Sequence, residues 1–572
     1  MKFFLQILAS FLFLLCSVVN ATEFYVSNSG NDANSGEILE PWQTLQHAVD
    51  NVDAGDIVIV QSGIYDGFVV SKSGESGKYC ALKADDGANV VINNPSAISV
   101  QNSLIEFTTN TIYWIIDGLK LENSTNFGIF FTNNSNLKLR NISISGFVTG
   151  IFMKQSDSID LRNCRIFGNS GYAIEFESVE KVSIFNSLFL NNDATLVFFD
   201  TCTDFSFGNN TVFNVSSQAP LLDFSNLISG LFFINNIIIS QLPDSVLFTI
   251  PDYEDFSKYE FTMKNNAYKG NFRIKGQDKL LTLAEFQAFA LDTNSLEIDP
   301  DSIFKDFSNL DFSLIDNCRI CDLGIYFEEI YSIKEDIDGN ARIQGYFPDP
   351  GCFEAEVSEN ADADIDGLPN WWEHLNGLDF IDDSTPEEDD DLDDLSNLDE
   401  FTAGTHPQYG DSDADGFGDG DEIAAGTNPL NQYEFPDTIG ITPVKFKEIQ
   451  LRHWFSYRYK VVNSKKPLRF TVIEGSFPPG FKLAGADGTF SGYAARPGEF
   501  KFVIEVTDAE KKSDTQKVVL TVNMPAQNSV SGCGFYPNEN GVNYWAILLF
   551  LLILFGIRTA SINKARLESN ES

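Results

Sequence analysis

From Asp117 onward, short apolar strands alternate with single polar residues at a steady pace. The polar residue falls at Asp117, Asn141, Asn163, Asn186, Asn209, Asn235 and Asn265, at intervals of 24, 22, 23, 23, 26 and 30 residues. Two positions earlier an apolar residue stands each time: Ile115, Leu139, Leu161, Ile184, Phe207, Phe233 and Met263. One such coil cannot bury its apolar face alone, but stacked coils join their faces into one core. The pattern predicts a parallel β-helix in which the recurring Asn points inward and bonds from coil to coil. A β-sandwich also has closely spaced strands, yet it gives no reason for one residue type to return once per coil. Solenoids need closed ends. Residues 41–52 carry Leu45, Ala48, Val49 and Val52 at helical spacing before the apolar run 56–60, which predicts an amphipathic lid over the first coil.

Alternation within the coils divides inside from outside. Ile129, Ile151, Ile174 and Val197 are expected inward, as are Phe131, Met153, Phe176 and Phe199. Two columns are then expected outward: Phe130, Phe152, Glu175 and Phe198, and beside them Thr132, Lys154, Glu177 and Asp200. Coils lie about 4.8 Å apart, so Lys154 is expected next to Glu177 and near Glu175, with Asp200 one coil on. Rings that can stack on a sugar, beside groups that can bond its hydroxyls, make this a candidate carbohydrate face. For a lyase, Lys154 is the candidate base that takes the proton α to a uronate carboxylate, with Ca2+ on the acids neutralising that carboxylate. A solvated ladder of charges with the Phe column covered by a lid explains the same residues without a ligand.

The pattern changes after residue 355. Between 359 and 434 there are 24 acidic residues and no Lys or Arg. Asp362, Asp364, Asp366, Gly367 and Glu373 occupy positions 1, 3, 5, 6 and 12 of a calcium loop, and Asp411, Asp413, Asp415, Gly416 and Glu422 repeat the series. Asp389, Asp391, Asp393 and Glu400 form a third loop with Asp394 in the glycine position. Carboxylates on alternate residues converge on one hard cation, so structural Ca2+ is expected in all three. From 435 to 523, alternating strands broken by Gly and Pro turns predict a small β-sandwich.

The ends and the charge bound the setting. Lys2, an apolar run to Val19 and the small residue Ala21 predict a cleaved signal peptide over 1–21. A linker is expected at 524–541, an apolar anchor or sorting helix at 542–558, and a basic cytoplasmic tail at 559–572. The expected location is therefore the outer face of a membrane or the cell surface. A net charge of −44 repels nucleic acid and anionic headgroups, and four scattered His leave almost no material for His-based triads or metal sites. Six Cys outside the end segments permit disulfides in an oxidising compartment, while Cys318-x-x-Cys321 lacks the further ligands of a zinc site.

Several stretches resemble known families. Phe24-Tyr25-Val26-Ser27, Pro41-Trp42-Gln43-Thr44-Leu45, Ala54-Gly55-Asp56 and Gly63-Ile64-Tyr65 resemble the N-terminus of bacterial β-helix proteins, nearest the pectate lyases of polysaccharide lyase family nine. Residues 310–314, 336–342 and 349–354 resemble that fold's closing segment. The resemblance implies a right-handed, pectin-lyase-like helix over 22–355; the family's Asp-rich calcium motif is not found in these coils, so it speaks to fold rather than activity. The acidic region 356–434 resembles bacterial thrombospondin type 3 repeats, 435–523 resembles immunoglobulin-like, cadherin-related domains, and the C-terminal segment resembles a surface-protein sorting signal. The whole reads as mainly β: a parallel β-helix, calcium repeats and an Ig-like sandwich. The expected function is a membrane-anchored, calcium-binding surface protein or adhesin that recognises an extracellular polysaccharide or cell-surface glycan. The alternative is a polysaccharide lyase or hydrolase acting on an acidic glycan, and a purely structural spacer is a third reading.

Overall fold

The computed structural model describes residues 21–524 apart from 124–125, 216–219, 243, 253–259, 290–291, 328–331 and 357. The expected signal peptide, linker, anchor and tail therefore lie outside the described residues, save for Ala21 and Met524. Among the described residues no helix is long and apolar enough to cross a membrane.

Three parallel sheets run the length of the first region. Sheet I has 11 strands from Glu23–Val26 to Asp292–Thr293, sheet II has 10 from Gly63–Asp66 to Leu296–Glu297, and sheet III has nine from Phe68–Val70 to Asn271–Ile274. Neighbours in each sheet are one coil apart in sequence, which is a parallel β-helix. Inward columns such as Ile129, Ile151, Ile174 and Leu196 are fully buried, and stacked rings such as Phe207 on Phe233, with centroids 5.3 Å apart, run through the interior.

The recurring Asn bonds from coil to coil as expected, the amides of Asn141, Asn186 and Asn235 donating to the side chains of Asp117, Asn163 and Asn209 at 2.7, 2.8 and 3.4 Å, but on the outside of the helix rather than inward. Asn141, Asn163, Asn186, Asn209, Asn235 and Asn265 all adopt left-handed backbone, φ 50 to 56°, in the turn from sheet I to sheet II. Asn tolerates that region because its short amide can bond locally. Its side chain faces the outside of the solenoid: the amides of Asn186, Asn209, Asn235 and Asn265 donate to the backbone oxygens of Glu335, Asp349, Ile325 and Leu323, which belong to a segment laid over the turns. The inward ladder is built by the next residue along. The backbone N–H groups of Ser187, Asn210 and Asn236 donate to the side-chain oxygens of Asn210, Asn236 and Asn266 at 2.9, 3.0 and 2.9 Å. In the first of these coils Gly118, φ 75°, holds the left-handed position, and Asp117 is the last residue of its strand, paired with Arg140.

Both ends are closed. Helix α1, Leu45–Asn51, is capped by Thr44 and buries Leu45, Ala48 and Val49, as the spacing predicts. Its Gln46 side chain acts as a surrogate strand: the amide donates to the Val69 carbonyl at 2.9 Å and accepts from the Val69 N–H at 2.8 Å, satisfying the edge of sheet III. At the far end, helix α2, Leu283–Gln287, starts with a Thr282–Glu285 capping box and stacks Phe286 on Phe272 at 4.5 Å.

The overlying segment is pinned by buried charge. Arg342 pairs with Glu354 at 3.1 Å with both side chains 1% exposed. Asp349 accepts the N–H groups of Asp322 and Ala355 at 2.7 and 2.8 Å, yet burial pushes its carboxyl up to about 7, with Asp322 adding to the rise and Arg342 opposing it. Its folded value lies above the ordinary 3.8, so its contribution to stability is complete below that pH and is lost as pH rises through about 7. Amide exchange in this segment should therefore quicken between pH 4 and 7.5 more in the native chain than in Asp349→Asn. Equal pH slopes would remove Asp349 as the cause.

The cysteines are spread differently from a disulfide framework. Cys318 and Cys321 are bonded to each other, while Cys80, Cys164, Cys202 and Cys352 are buried thiols that burial pushes up, Cys352 to about 12. The acidic region forms three short helices, Asn370–Asn376, Asn397–Ala403 and Asp419–Ala425, each ending in a left-handed glycine at Gly377, Gly404 or Gly426. The described chain up to Lys445, with Val461–Asn463, is one compact unit; the second comprises Phe446–Lys460 and the described residues from Ser464 onward. The second unit is a β-sandwich of a three-stranded and a four-stranded sheet around Phe490, Ile504, Val506 and Leu520. It begins at Phe446, and Gly440–Ile441 pairs with Val461–Val462 in the first unit.

Candidate functional site

The outward face of sheet III carries most of the expected residues. Phe130 pairs with Phe152 and Phe152 with Glu175; Thr132 pairs with Lys154 and Lys154 with Glu177. The Phe130 and Phe152 rings lie parallel at 5.0 Å, and Phe127 packs against both at 5.2 and 5.4 Å. Phe130 is nearly covered, and Phe152 is the half-exposed ring of the stack. The Lys154 ammonium forms an ion pair with Glu177, both side chains about a third exposed. Glu175 accepts from the Thr149 hydroxyl at 3.4 Å; burial lifts its carboxyl above the usual range, and the Glu177 charge adds to the rise.

Two expected members are not part of the face. Phe198 is 1% exposed and stacks on Phe176 at 4.7 Å inside the helix, and Asp200 sits in the following turn at φ 62°, accepting from the Ser178 hydroxyl. The register explains both. Tyr172 pairs with Ala194, a step of 22, whereas Glu180 pairs with Thr203, a step of 23. The extra residue lies in the turn, so a count anchored on the Asn of sheet I runs one too far on sheet III, and a slip of one exchanges the faces. The outward residues on this coil are Val197 and Phe199, and Phe199 meets Tyr172 edge-on at 5.9 Å. Phe127, Tyr172 and Phe199 thus join the face unforeseen. The 22-residue step shared by Phe127–Thr149 and Tyr172–Ala194 was the signal that could have found the shift.

A second group of functional candidates lies in the acidic loops. One carboxylate oxygen from each of Asp362, Asp364 and Asp366 falls within 4.8 Å of the others, and the same holds for Asp389, Asp391 and Asp393 and for Asp411, Asp413 and Asp415. Position-1 carboxylates organise each loop by accepting backbone N–H groups: Gly367 to Asp362 at 3.0 Å, Asp394 to Asp389 at 3.2 Å and Gly416 to Asp411 at 3.0 Å. Asp394 adopts φ 78°, close to Gly367 at 99° and Gly416 at 107°, so the third loop keeps the shape of the others without glycine. The closing Glu373, Glu400 and Glu422 are fully buried. Both oxygens of Asp391 and Glu400, and Oε2 of Glu373 and Glu422, are buried without a hydrogen-bond partner. Burial, with neighbouring carboxylates, pushes Glu373 and Glu400 up to about 9 and Asp391 to about 8. Convergent, orphaned, all-oxygen donors suit a hard divalent cation such as Ca2+.

Comparison with known proteins fits this geometry. Residues 24–194 match the family model described as Pel9A-like, right handed beta helix region. These coils are thus similar to the right-handed β-helix that this model describes. Residues 455–523 match the model described as "Putative Ig domain", in agreement with the sandwich. The chain is 35% identical over 81 residues to Pectate lyase PEL9 of Emericella nidulans, covering 14% of this chain and 20% of that protein. It is also 35% identical over 78 residues to Uncharacterized protein YwoF of Bacillus subtilis (strain 168), covering 14% and 17%. The chain thus spans no more than a fifth of the length of these relatives. Among solved structures, pectate lyase Pel9A aligns over 59% of this chain and 98% of its own with 14% identity and a TM-score of 0.36. A rhamnogalacturonan lyase aligns over 61% and 100% with 12% identity and a TM-score of 0.31.

Proposed function

We propose that this chain is an exported, surface-tethered protein whose β-helix recognises an acidic polysaccharide on the outward face of sheet III, with Ca2+ stiffening residues 359–434. The observation that carries the reading is the juxtaposition of the Phe127, Phe130 and Phe152 rings with Glu175 and the Lys154–Glu177 pair on adjacent coils. A sugar ring stacks on the exposed edge of the aromatic group while its hydroxyls and carboxylate meet the charged column. In the acidic loops Asp362, Asp364, Asp366 and Glu373 would hold one cation, Asp389, Asp391, Asp393 and Glu400 a second, and Asp411, Asp413, Asp415 and Glu422 a third. Bound Ca2+ supplies charge neutralisation there rather than catalysis.

Polysaccharide lyase activity is the second reading, favoured by the likeness to a pectate lyase and by the placement of Lys154 between carboxylates. Lys154 would remove the proton α to the uronate carboxylate, and the electron pair would expel the glycosidic oxygen at the β position. Its Nζ is held by Glu177, so that partner must give way before Lys154 can act as a base.

Full-length protein titrated with acidic and neutral oligosaccharides tests recognition, and the ultraviolet absorbance of an unsaturated product tests cleavage. Phe152→Ala should weaken binding of the acidic glycan by about 1.5–3 kcal/mol, the scale of losing one large apolar contact, with little change in melting temperature. Lys154→Gln should weaken charged glycans more than neutral ones. Unchanged affinity in both variants would leave the column a solvated charge ladder.

A further inference from the structure

The outward face of sheet I carries a second set of chemical groups. Tyr79 and Tyr113 meet edge to face at 5.3 Å, and the Lys138 ammonium stands 4.3 Å over the Tyr79 ring. In the next coil Asp160 lies between two guanidinium groups, paired with Arg140 and, at 3.0 Å, with Arg162, so this trio keeps one positive charge. The column runs Lys138, Asp160, Ser183, Ser206, Phe232 in register. Its far end opens into a cleft of about 310 Å³ lined by Lys181, Ser183, Asp204, Ser206, Phe232 and Glu260. Beside it runs a row of left-handed residues, one per coil: Tyr113, Asn136, Ser158, Lys181, Asp204, Gly230 and Glu260, with φ between 54 and 69°. Asn or Gly would serve the backbone there at least cost. A Tyr and a Lys in that row are strained choices that the fold does not require.

We propose that this face is a separate binding surface for an anionic, uronate-bearing oligosaccharide. The argument is charge and pitch. In a chain with 82 acidic and 38 basic residues, the strands Ser135–Arg140, Asp157–Arg162 and Glu180–Phe185 carry Lys138, Arg140, Arg162 and Lys181 against Asp157, Asp160 and Glu180, a local excess of one positive charge. Adjacent coils are about 4.8 Å apart, near the advance of one pyranose unit, so a sugar chain lying along the helix axis meets one rung per residue. Lys138 and Lys181, two coils apart, would take alternate carboxylates, the tyrosines would stack a ring at one end, and Phe232 with the two serines would receive the other. Asp204 and Glu260 at the cleft end would bond hydroxyls and turn away a carboxylate, which gives the bound chain a direction. Nothing in this surface uses a residue of the sheet III face.

The test titrates hexagalacturonate, and its fully methyl-esterified form as the uncharged control, into the full-length chain at low salt. In a Phe152→Ala/Lys154→Gln background the free acid should still bind and the ester bind more weakly. Adding Lys138→Gln/Lys181→Gln should then weaken the acid at least tenfold, leave the ester unchanged and leave the melting temperature within a degree or two. Loss of all binding in the background variant would assign the affinity to sheet III and overturn the proposal, as would a lysine pair whose removal changes nothing. If Phe152→Ala/Lys154→Gln has no effect while Lys138→Gln/Lys181→Gln abolishes binding, this surface stands and the sheet III reading falls.

Discussion

Chelation will unfold residues 359–434 at neutral pH while the β-helix keeps its structure. In that region 24 carboxylates face no Lys or Arg of their own, and the three closing glutamates are fully buried. Each buried, unpaired carboxylate costs several kcal/mol of desolvation without a compensating cation, so binding free energy there is folding free energy. The β-helix carries no comparable cluster of like charges, because its interior is mainly apolar columns and a ladder of bonded amides. Damage should spread only where the two regions touch: the Asn370 side chain donates to the Cys321 carbonyl at 2.8 Å, and Arg319 bonds the Ala363 carbonyl. Limited proteolysis of the full chain with and without chelator reads the result directly. Cuts should concentrate between 359 and 434, and restored Ca2+ should suppress them. Identical digestion patterns and identical far-ultraviolet spectra in the two conditions would show that the loops stand without metal.

The acidic loops and the solenoid were legible in the sequence for one reason: their determinants are local or periodic. Each acidic loop gathers the carboxylates of three alternate residues within five consecutive positions, so spacing alone shows where they converge. From Asn141 to Asn265 the β-helix places an Asn at the left-handed turn from sheet I to sheet II, and that turn returns once per coil. What spacing could not resolve was which of two adjacent residues does which work. At Asn209–Asn210, Asn235–Asn236 and Asn265–Asn266 the first residue bends the backbone and the second bonds inward, and both needs select Asn. At Asp117–Gly118 the polar residue fits the repeat, while the glycine holds the turn. The outward face of sheet III is harder still, because it is assembled from residues 22 or 23 apart on several coils. One residue added in the turn at Asp200 was enough to exchange Phe198 with Phe199.

Asn236→Ala should be the most damaging single substitution in the β-helix that leaves its apolar core untouched. Asn236 is fully buried, and its side chain makes four bonds. Its oxygen accepts the Asn210 N–H at 3.0 Å and the Asn210 amide at 3.2 Å; its own amide donates to the Phe207 carbonyl at 2.9 Å and to Asn266 at 3.0 Å. Alanine would strand the Asn210 N–H and one Asn210 amide hydrogen in the interior and remove the side-chain bond to the Phe207 carbonyl. At about 1–3 kcal/mol for each buried unsatisfied group, the loss should reach about 4 kcal/mol, in the range reserved for broken buried networks. The ladder itself supplies the control, because serine already serves at its ends: Ser187 Oγ accepts the Cys164 N–H at 3.1 Å and Ser295 Oγ accepts the Asn266 N–H at 2.9 Å. Asn236→Ser therefore keeps an acceptor for Asn210 and should recover about 1 kcal/mol of the loss, one buried hydrogen bond. Urea unfolding of the β-helix, followed by exchange of the buried amides, measures both variants. A cost below 1 kcal/mol for alanine, or serine no better than alanine, would mean that the coils are held by their phenylalanine columns and that the inward ladder only follows them.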